Sequence, residues 1–212
     1  MQIDRTTRPP VQPVLIRAFH PSDLPALYRV CHATGWNGCD ASDVVSDPEL
    51  IGHSYIGPYA VLEPQHCFVA VHQTQVVGYV TAVSDCVAFH RECETKWFPI
   101  LRARYPLPAS DDTSVTATFL RTLHTGHMPS PTVDLIAYPA NLHIDLLPEA
   151  QGQGLGRRLL QQLFSSLRFA GVAGVHLYAG ASNVGAIRFY QRIGFQRLEE
   201  SEHAVGFGYD LR

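Results

Sequence analysis

From Leu142 the chain alternates as Leu-His-Ile-Asp-Leu, and from Leu155 its apolar residues recur at Leu155, Leu159, Leu163 and Leu167. The first pattern has the period of a strand and the second that of a helix. Between them lies Pro148-Glu149-Ala150-Gln151-Gly152-Gln153-Gly154-Leu155-Gly156, a glycine-rich turn. The rest of the chain is organised around this strand, turn and helix.

Upstream, Val14-Leu15-Ile16-Arg17 predicts a short strand, and Pro21-Ser22-Asp23 caps a helix with Leu24, Leu27, Val30 and Cys31 on one stripe. Residues 33–64, rich in glycine, aspartate and aromatics (Trp36, Tyr55, Tyr59), show no clear period and read as a long loop of the kind that forms binding surfaces or lids. The apolar runs 66–71 and 76–83 flank a polar turn and predict a hairpin. Residues 86–105, broken at Pro99, and 111–124, with Val115, Phe119, Leu120 and Leu123 at helical spacing, predict two helices inserted before the central strand. Downstream come a strand at 174–179, a helix from Asn183 to a C-capping Gly194, and strands at 195–198 and 204–211. Residues 1–13, polar and carrying Pro9, Pro10 and Pro13, read as a loosely held leader, and 14–212 as a single α/β domain without internal repeats.

Composition narrows the classes. A chain of 212 residues, 46% of them apolar, can bury one sizeable core. A net charge of −3 lacks the basic face of a general nucleic-acid binder. No apolar run approaches 18 residues and no secretory leader pattern opens the chain, so the expectation is a cytoplasmic protein without a membrane span. Cys31, Cys39, Cys67, Cys86 and Cys93 are odd in number and have no zinc or redox spacing. They read as free thiols, mostly in the core, and since the histidines show no ligand spacing either, no metal is expected.

Glycines at 152, 154 and 156 remove Cβ atoms that would hold a ligand off the backbone, so successive N–H groups at a helix start can meet one anion. A P-loop would need a lysine and a hydroxyl residue after the glycines, and neither follows. The dinucleotide fingerprint fails too, because the third glycine comes one residue early and no acidic residue follows ~20 residues on. What fits is Gln/Arg-x-x-Gly-x-Gly/Ala, spanning Gln151 to Gly156, and this resembles the pyrophosphate loop of the GNAT N-acetyltransferase family. The strand-then-helix opening is similar to that family as well. So is the segment from Asn183 through Ala186 and Tyr190 to Gly194-Phe195, which matches the pattern Asn-x-x-Ala-x-x-x-Tyr-x-x-x-Gly-Phe.

The resemblance implies the GNAT fold, an α/β fold with a mixed, mostly antiparallel central sheet flanked by helices, here with an extra helical insertion before the central strand. It implies acetyl-CoA as cofactor, held by Leu146, Leu147, Gln151, Gly152, Gln153, Gly154, Leu155, Gly156, Arg157, Asn183, Ala186 and Tyr190. Asn183 would meet the pantetheine amides and Tyr190 the thioester sulfur. Read from the residues alone, Asn183 is equally an N-cap and Tyr190 a half-buried core aromatic. A further resemblance, carried by residues 35–43, 51–59, 66–69, 143–145 and 163–167, is to the C-terminal acetyltransferase-like domain of animal O-GlcNAcases. The animal domain lacks the glycine loop, whereas this chain keeps all of it, which implies a stand-alone bacterial relative able to hold the cofactor and without a glycoside-hydrolase region.

An acceptor amine of pKa ~10.4 is neutral in only about one molecule in a few thousand at pH 7, a penalty of ~4.6 kcal/mol that a base would offset. Asp145 and His143 share one face of the central strand, and a mid-strand aspartate under helices is costly without a partner or a purpose. The family's usual base positions fall nearer Ala140 and Leu142, which accept no proton. The base is therefore Asp145, His143, an acid of the 33–64 loop such as Asp40 or Asp43, or absent. Tyr190 is the candidate proton donor to the leaving thiolate, and the N–H of Leu146 or Leu147 the candidate polariser of the thioester carbonyl. Asp40, Asp43, Asp47 and Glu49, with Trp36, Tyr55 and Tyr59, suit a cationic amine acceptor or simply solvate and pack the loop. The reading is an acetyl-CoA-dependent N-acetyltransferase, monomer or homodimer, with no nucleic-acid or membrane partner. The alternative is an acetyl-CoA-binding module that serves recognition or regulation.

Overall fold

The computed structural model describes residues 13–126 and 133–212; apart from Pro13, the expected leader lies outside them. Seven strands form one mixed sheet: β1 (Leu15–Ala18), β2 (Cys67–His72), β3 (Gln75–Val83), β4 (Ala140–Leu146), β5 (Gly174–Gly180), β6 (Gln196–Glu200) and β7 (Ala204–Asp210). Their order is β1-β2-β3-β4-β5-β7-β6, and among these neighbours only β4 and β5 run parallel. The expected mostly antiparallel α/β architecture is thus the one observed. No helix among the described residues is long and apolar enough to cross a membrane.

Alternation along β4 sends its side chains to opposite faces. On one face α1 (Leu24–Thr34) packs over β3 and β4, burying Leu27, Val30 and Cys31. The predicted leucine ladder lies in α7 (Leu155–Phe169), which covers β2 and β3 with Leu155, Leu159, Leu163 and Leu167, each at most 3% exposed. α8 (Val184–Ile193) is capped at its start by Asn183 and ends at Gly194, whose φ of 108° is the left-handed conformation that glycine adopts without strain.

Two expectations need correction. The 33–64 segment is not one long loop, because α2 (Leu50–Tyr55) and α3 (Gly57–Leu62) form within it and bury Ile51, Ile56 and Tyr59. Each is six residues long, too short to display a helical period in sequence. The insertion before β4 holds three helices rather than two: α4 (Cys86–Lys96), α5 (Phe98–Arg104) and α6 (Val115–Thr125). Pro99 sits in the first turn of α5, where its missing N–H has no helical acceptor to lose, so it starts a new helix where a break was expected.

The feature that positions the site is a parting of strands. β4 and β5 pair only at Ala140 with Val175 and at Asn141 with His176, while β4 stays paired to β3 as far as Leu146. Beyond Asn141 the β5-facing edge of β4 is therefore open.

Candidate functional site

The gap between β4 and β5 widens into a cleft of about 640 Å³. The glycine turn at the start of α7 forms one end, α8 one wall, and the C-terminal half of β4 the floor. Gly152 and Gly154 have φ of 72° and 75°, and a Cβ built on either would meet nothing within 4 Å. A side chain there would be strained by the backbone and would project into open space. Gly154 caps α7, whose first N–H groups have no partner within the helix and carry the positive end of its dipole. Gly156 does something else: a Cβ there would lie 2.9 Å from Phe189 Cζ, so the third glycine lets α7 and α8 approach. This packing role comes in addition to its place in the cleft lining.

Leu146, Gln151, Leu155, Gly156, Arg157, Asn183, Ala186 and Tyr190 line this cleft together with Gly152 and Gly154, as does Asp145. Leu147 and Gln153 do not. The Leu147 N–H donates to Val77 O at 2.9 Å, completing the ladder to β3, and so cannot serve a ligand. By strand alternation the Leu146 N–H and C=O point the other way, into the gap, and its C=O accepts Gln151 Nε2 at 2.9 Å. Gln153 is exposed and bonds Glu149 O at 2.7 Å.

Asn183 Oδ1 accepts from the Ala186 N–H at 3.0 Å, which is the N-cap, while the residue also forms part of the cleft wall. Tyr190 is 8% exposed and packs its ring on Phe189, Phe195 and Phe207. Burial pushes its hydroxyl well above the ordinary tyrosine value, so it stays protonated through neutral pH. Asp145 is half-buried on the cleft floor; desolvation raises its carboxyl above the usual range, partly opposed by the Tyr79 hydroxyl, which donates to Oδ2 at 2.5 Å.

His143 is not among the residues that line the cleft. Its Nε2 lies 3.2 Å from Tyr59 Oη, and its ring stands edge-on to Tyr55 and Tyr59 with centroids 5.4 and 4.9 Å away. The Tyr59 hydroxyl donates to Asn141 Oδ1 at 2.8 Å, so His143 Nε2 meets it as a donor. The loop acids also lie outside the cleft lining. Asp40 accepts from Ser42, Asp47 from Tyr105 and the Glu49 N–H, and Glu49 pairs with Arg104. Tyr55 and Tyr59 pack inward.

The sequence reading missed one wall of the site. Trp36 and Cys39 exchange backbone hydrogen bonds of 3.0 and 2.9 Å around Asn37 and Gly38, whose φ values of 52° and 85° make a tight left-handed turn. Thr34, Asn37 and Gly38 line the cleft opposite α8. A Cβ on Gly38 would come within 3.1 Å of Asn183 Nδ2, and one on Gly180 would overlap the Asn37 side chain. The Asn-Gly dipeptide was the available signal, a common tight-turn pair. Arg192 joins Arg157 as a second cation of the lining.

A family model of the acetyltransferase (GNAT) domain matches residues 125–197, the stretch from the end of α6 through the glycine turn to β6. Protein O-GlcNAcase of Rattus norvegicus is 24% identical over 208 residues, which are 96% of this chain and 22% of that protein. The chain thus spans about a fifth of the length of this curated relative. The crystal structure of SsHAT superposes with a TM-score of 0.88 at 34% identity, covering 94% of this chain and 98% of that one. The PaiA N-acetyltransferase of Thermoplasma acidophilum, solved in complex with coenzyme A, shares the fold at a TM-score of 0.57 and 14% identity, covering 93% of this chain and 99% of that one.

Proposed function

We propose that this chain, which belongs to the GNAT acetyltransferase family, binds acetyl-CoA in the β4–β5 cleft and transfers the acetyl group directly to an amine. The observation that carries this reading is the glycine turn: two left-handed glycines with open space before them, at the head of a 15-residue helix and beside an unpaired strand edge. Such a cradle fits a pyrophosphate, with Gly152, Gly154 and the first N–H groups of α7 as donors and Arg157 and Arg192 as counter-charge. The open β4 edge and Asn183 suit a pantetheine arm. That PaiA, which shares this fold, was solved in complex with coenzyme A supports the choice of ligand.

Bound acetyl-CoA supplies the activated acetyl thioester. The Leu146 N–H, pointing into the gap, is the donor that polarises its carbonyl; Leu147 has no such role. Asp145, the acid of the lining, takes the proton an ammonium must lose before it becomes a nucleophile. Tyr190 donates a hydrogen bond to the departing sulfur. With its hydroxyl pushed above 10 by burial and a thiol near ~8.5, full proton transfer is uphill by more than ~2 kcal/mol, so the hydrogen bond is its whole contribution. Five cysteines without disulfides fit a cytoplasmic setting.

A second reading, an acetyl-CoA-binding module without turnover, is favoured by the likeness to a fifth of an O-GlcNAcase. Release of free thiol from acetyl-CoA, measured with and without a panel of amines, separates the two. Amine-dependent release is expected; tight acetyl-CoA binding with no amine-dependent release would establish the module instead.

A further inference from the structure

Asp145 is the one acid among the residues lining the cleft, and no cationic side chain pairs with it among the described residues. The titratable groups that face it come from three elements: Tyr79 on β3, Cys31 on α1 and Tyr190 on α8. Burial pushes all three upward, so all are uncharged near neutral pH. His143, two residues back on the same face, is held in its tyrosine box. Thr34 of α1 completes the surroundings. Arg157 and Arg192 line the same cleft, but neither is paired with Asp145, so the carboxylate is free to meet a positive charge that enters through the cleft.

Tyr79 is the residue in this shell without an explanation. It lies directly opposite Asp145 in the β3–β4 register, is fully buried, and spends its hydroxyl on Asp145 Oδ2. Phenylalanine would pack this layer without placing a polar oxygen in it, and a buried hydroxyl is unfavourable unless bonded. We infer that Tyr79 is a positioning residue, which holds Asp145 Oδ2 on the sealed side of the sheet so that Oδ1 meets the acceptor ammonium in the cleft. This rests on the acetyltransferase reading for its purpose, though not for its geometry. The hydrogen bond also favours the ionised carboxylate against the burial that opposes it, so Tyr79 keeps the base available at lower pH.

The direct test is carbon-13 NMR of the protein labelled at aspartate carboxyls and tyrosine Cζ. In the wild type the Tyr79 Cζ shift should titrate with the same midpoint as the Asp145 carboxyl, assigned by its loss in Asp145→Asn. In Tyr79→Phe that midpoint should move to higher pH. In turnover, the acid limb of the amine kcat/KM profile should move the same way and kcat should fall about tenfold, with the KM for acetyl-CoA unchanged within about twofold. The loss should vanish when Tyr79→Phe is placed in Asp145→Asn, because the two act as one unit. Separate midpoints in the wild type, an unmoved midpoint in Tyr79→Phe, or an undiminished loss on the Asp145→Asn background would each overturn the inference. The wild-type titration decides the matter even if Tyr79→Phe does not fold. A wild type that releases no thiol with any amine refutes the transferase reading alone, since the titrations need no turnover.

Discussion

At Gly154 the backbone and the ligand impose separate demands, and both can be measured. The left-handed φ of 75° makes any other side chain costly by roughly 1–2 kcal/mol, while the empty space before it leaves the unliganded fold otherwise undisturbed. Gly154→Leu should therefore weaken acetyl-CoA binding tenfold or more by calorimetry, with a modest fall in unfolding free energy. Equal affinity would remove the phosphate cradle from the mechanism. Tyr190 offers the complementary case. Its ring is fixed by Phe189, Phe195 and Phe207, contacts that phenylalanine keeps, so Tyr190→Phe isolates the hydroxyl. Acetyl-CoA affinity should be nearly unchanged and amine-dependent turnover should fall up to ~10²-fold. Full activity would reduce Tyr190 to a packing residue. Sequence showed both residues through the spacing of their motifs. It could not show that His143 is boxed in by Tyr55 and Tyr59, because those contacts join α2 and α3 to β4 across more than eighty positions.

Among the elements, α7 and α8 were legible because each repeats its apolar stripe over at least two turns, and α8 is bounded by Asn183 and Gly194 as well. α2 and α3 were not, since six residues complete fewer than two turns and their burial against α1 decides their conformation. How α7 meets α8 can be tested at Gly156. Gly156→Ala sets a methyl 2.9 Å from Phe189 Cζ, so the ring must move or the helices separate. We expect a loss of about 1–3 kcal/mol in urea denaturation. Phe189→Leu, by shortening the opposing side chain, should recover part of it; a neutral Gly156→Ala would mean the ring yields freely.

For the whole molecule, pH is the informative variable. His53, His66 and His176 are buried, and desolvation lowers each below the ordinary histidine value. The unfolded chain then binds more protons than the fold, so their contribution is full above about pH 6.5 and is lost as pH falls toward the folded values. Asp23, held down chiefly by its hydrogen bonds from Arg17, and Glu94, held down by Arg102, add a loss of the same sign at more acidic pH. Among the acids and histidines named here Asp145 acts in the opposite direction, because burial raises its pKa. The urea midpoint should therefore decline from pH 7 toward pH 5 and fall further below pH 4. A flat profile between 7 and 5 would show that the histidines are hydrated in solution.

The sequence by itself determined the strand, turn and helix of the cradle, the helix from Asn183 to Gly194, the hairpin and the outer strands, because each depends on residues close together in the chain and on the period of their side chains. Tertiary structure alone decided which of those residues face the cleft. The parting of β4 from β5 after Asn141 leaves the Leu146 N–H open, while the β3 ladder consumes that of Leu147 one residue away. The left-handed turn at Asn37 and Gly38 closes a wall against Asn183 from nearly 150 positions earlier. A buried hydroxyl on β3 meets the one acid of the site across the strand pair. Hydrogen-bond partnership across a sheet and burial between layers are properties of neighbours in space, and no local pattern encodes them.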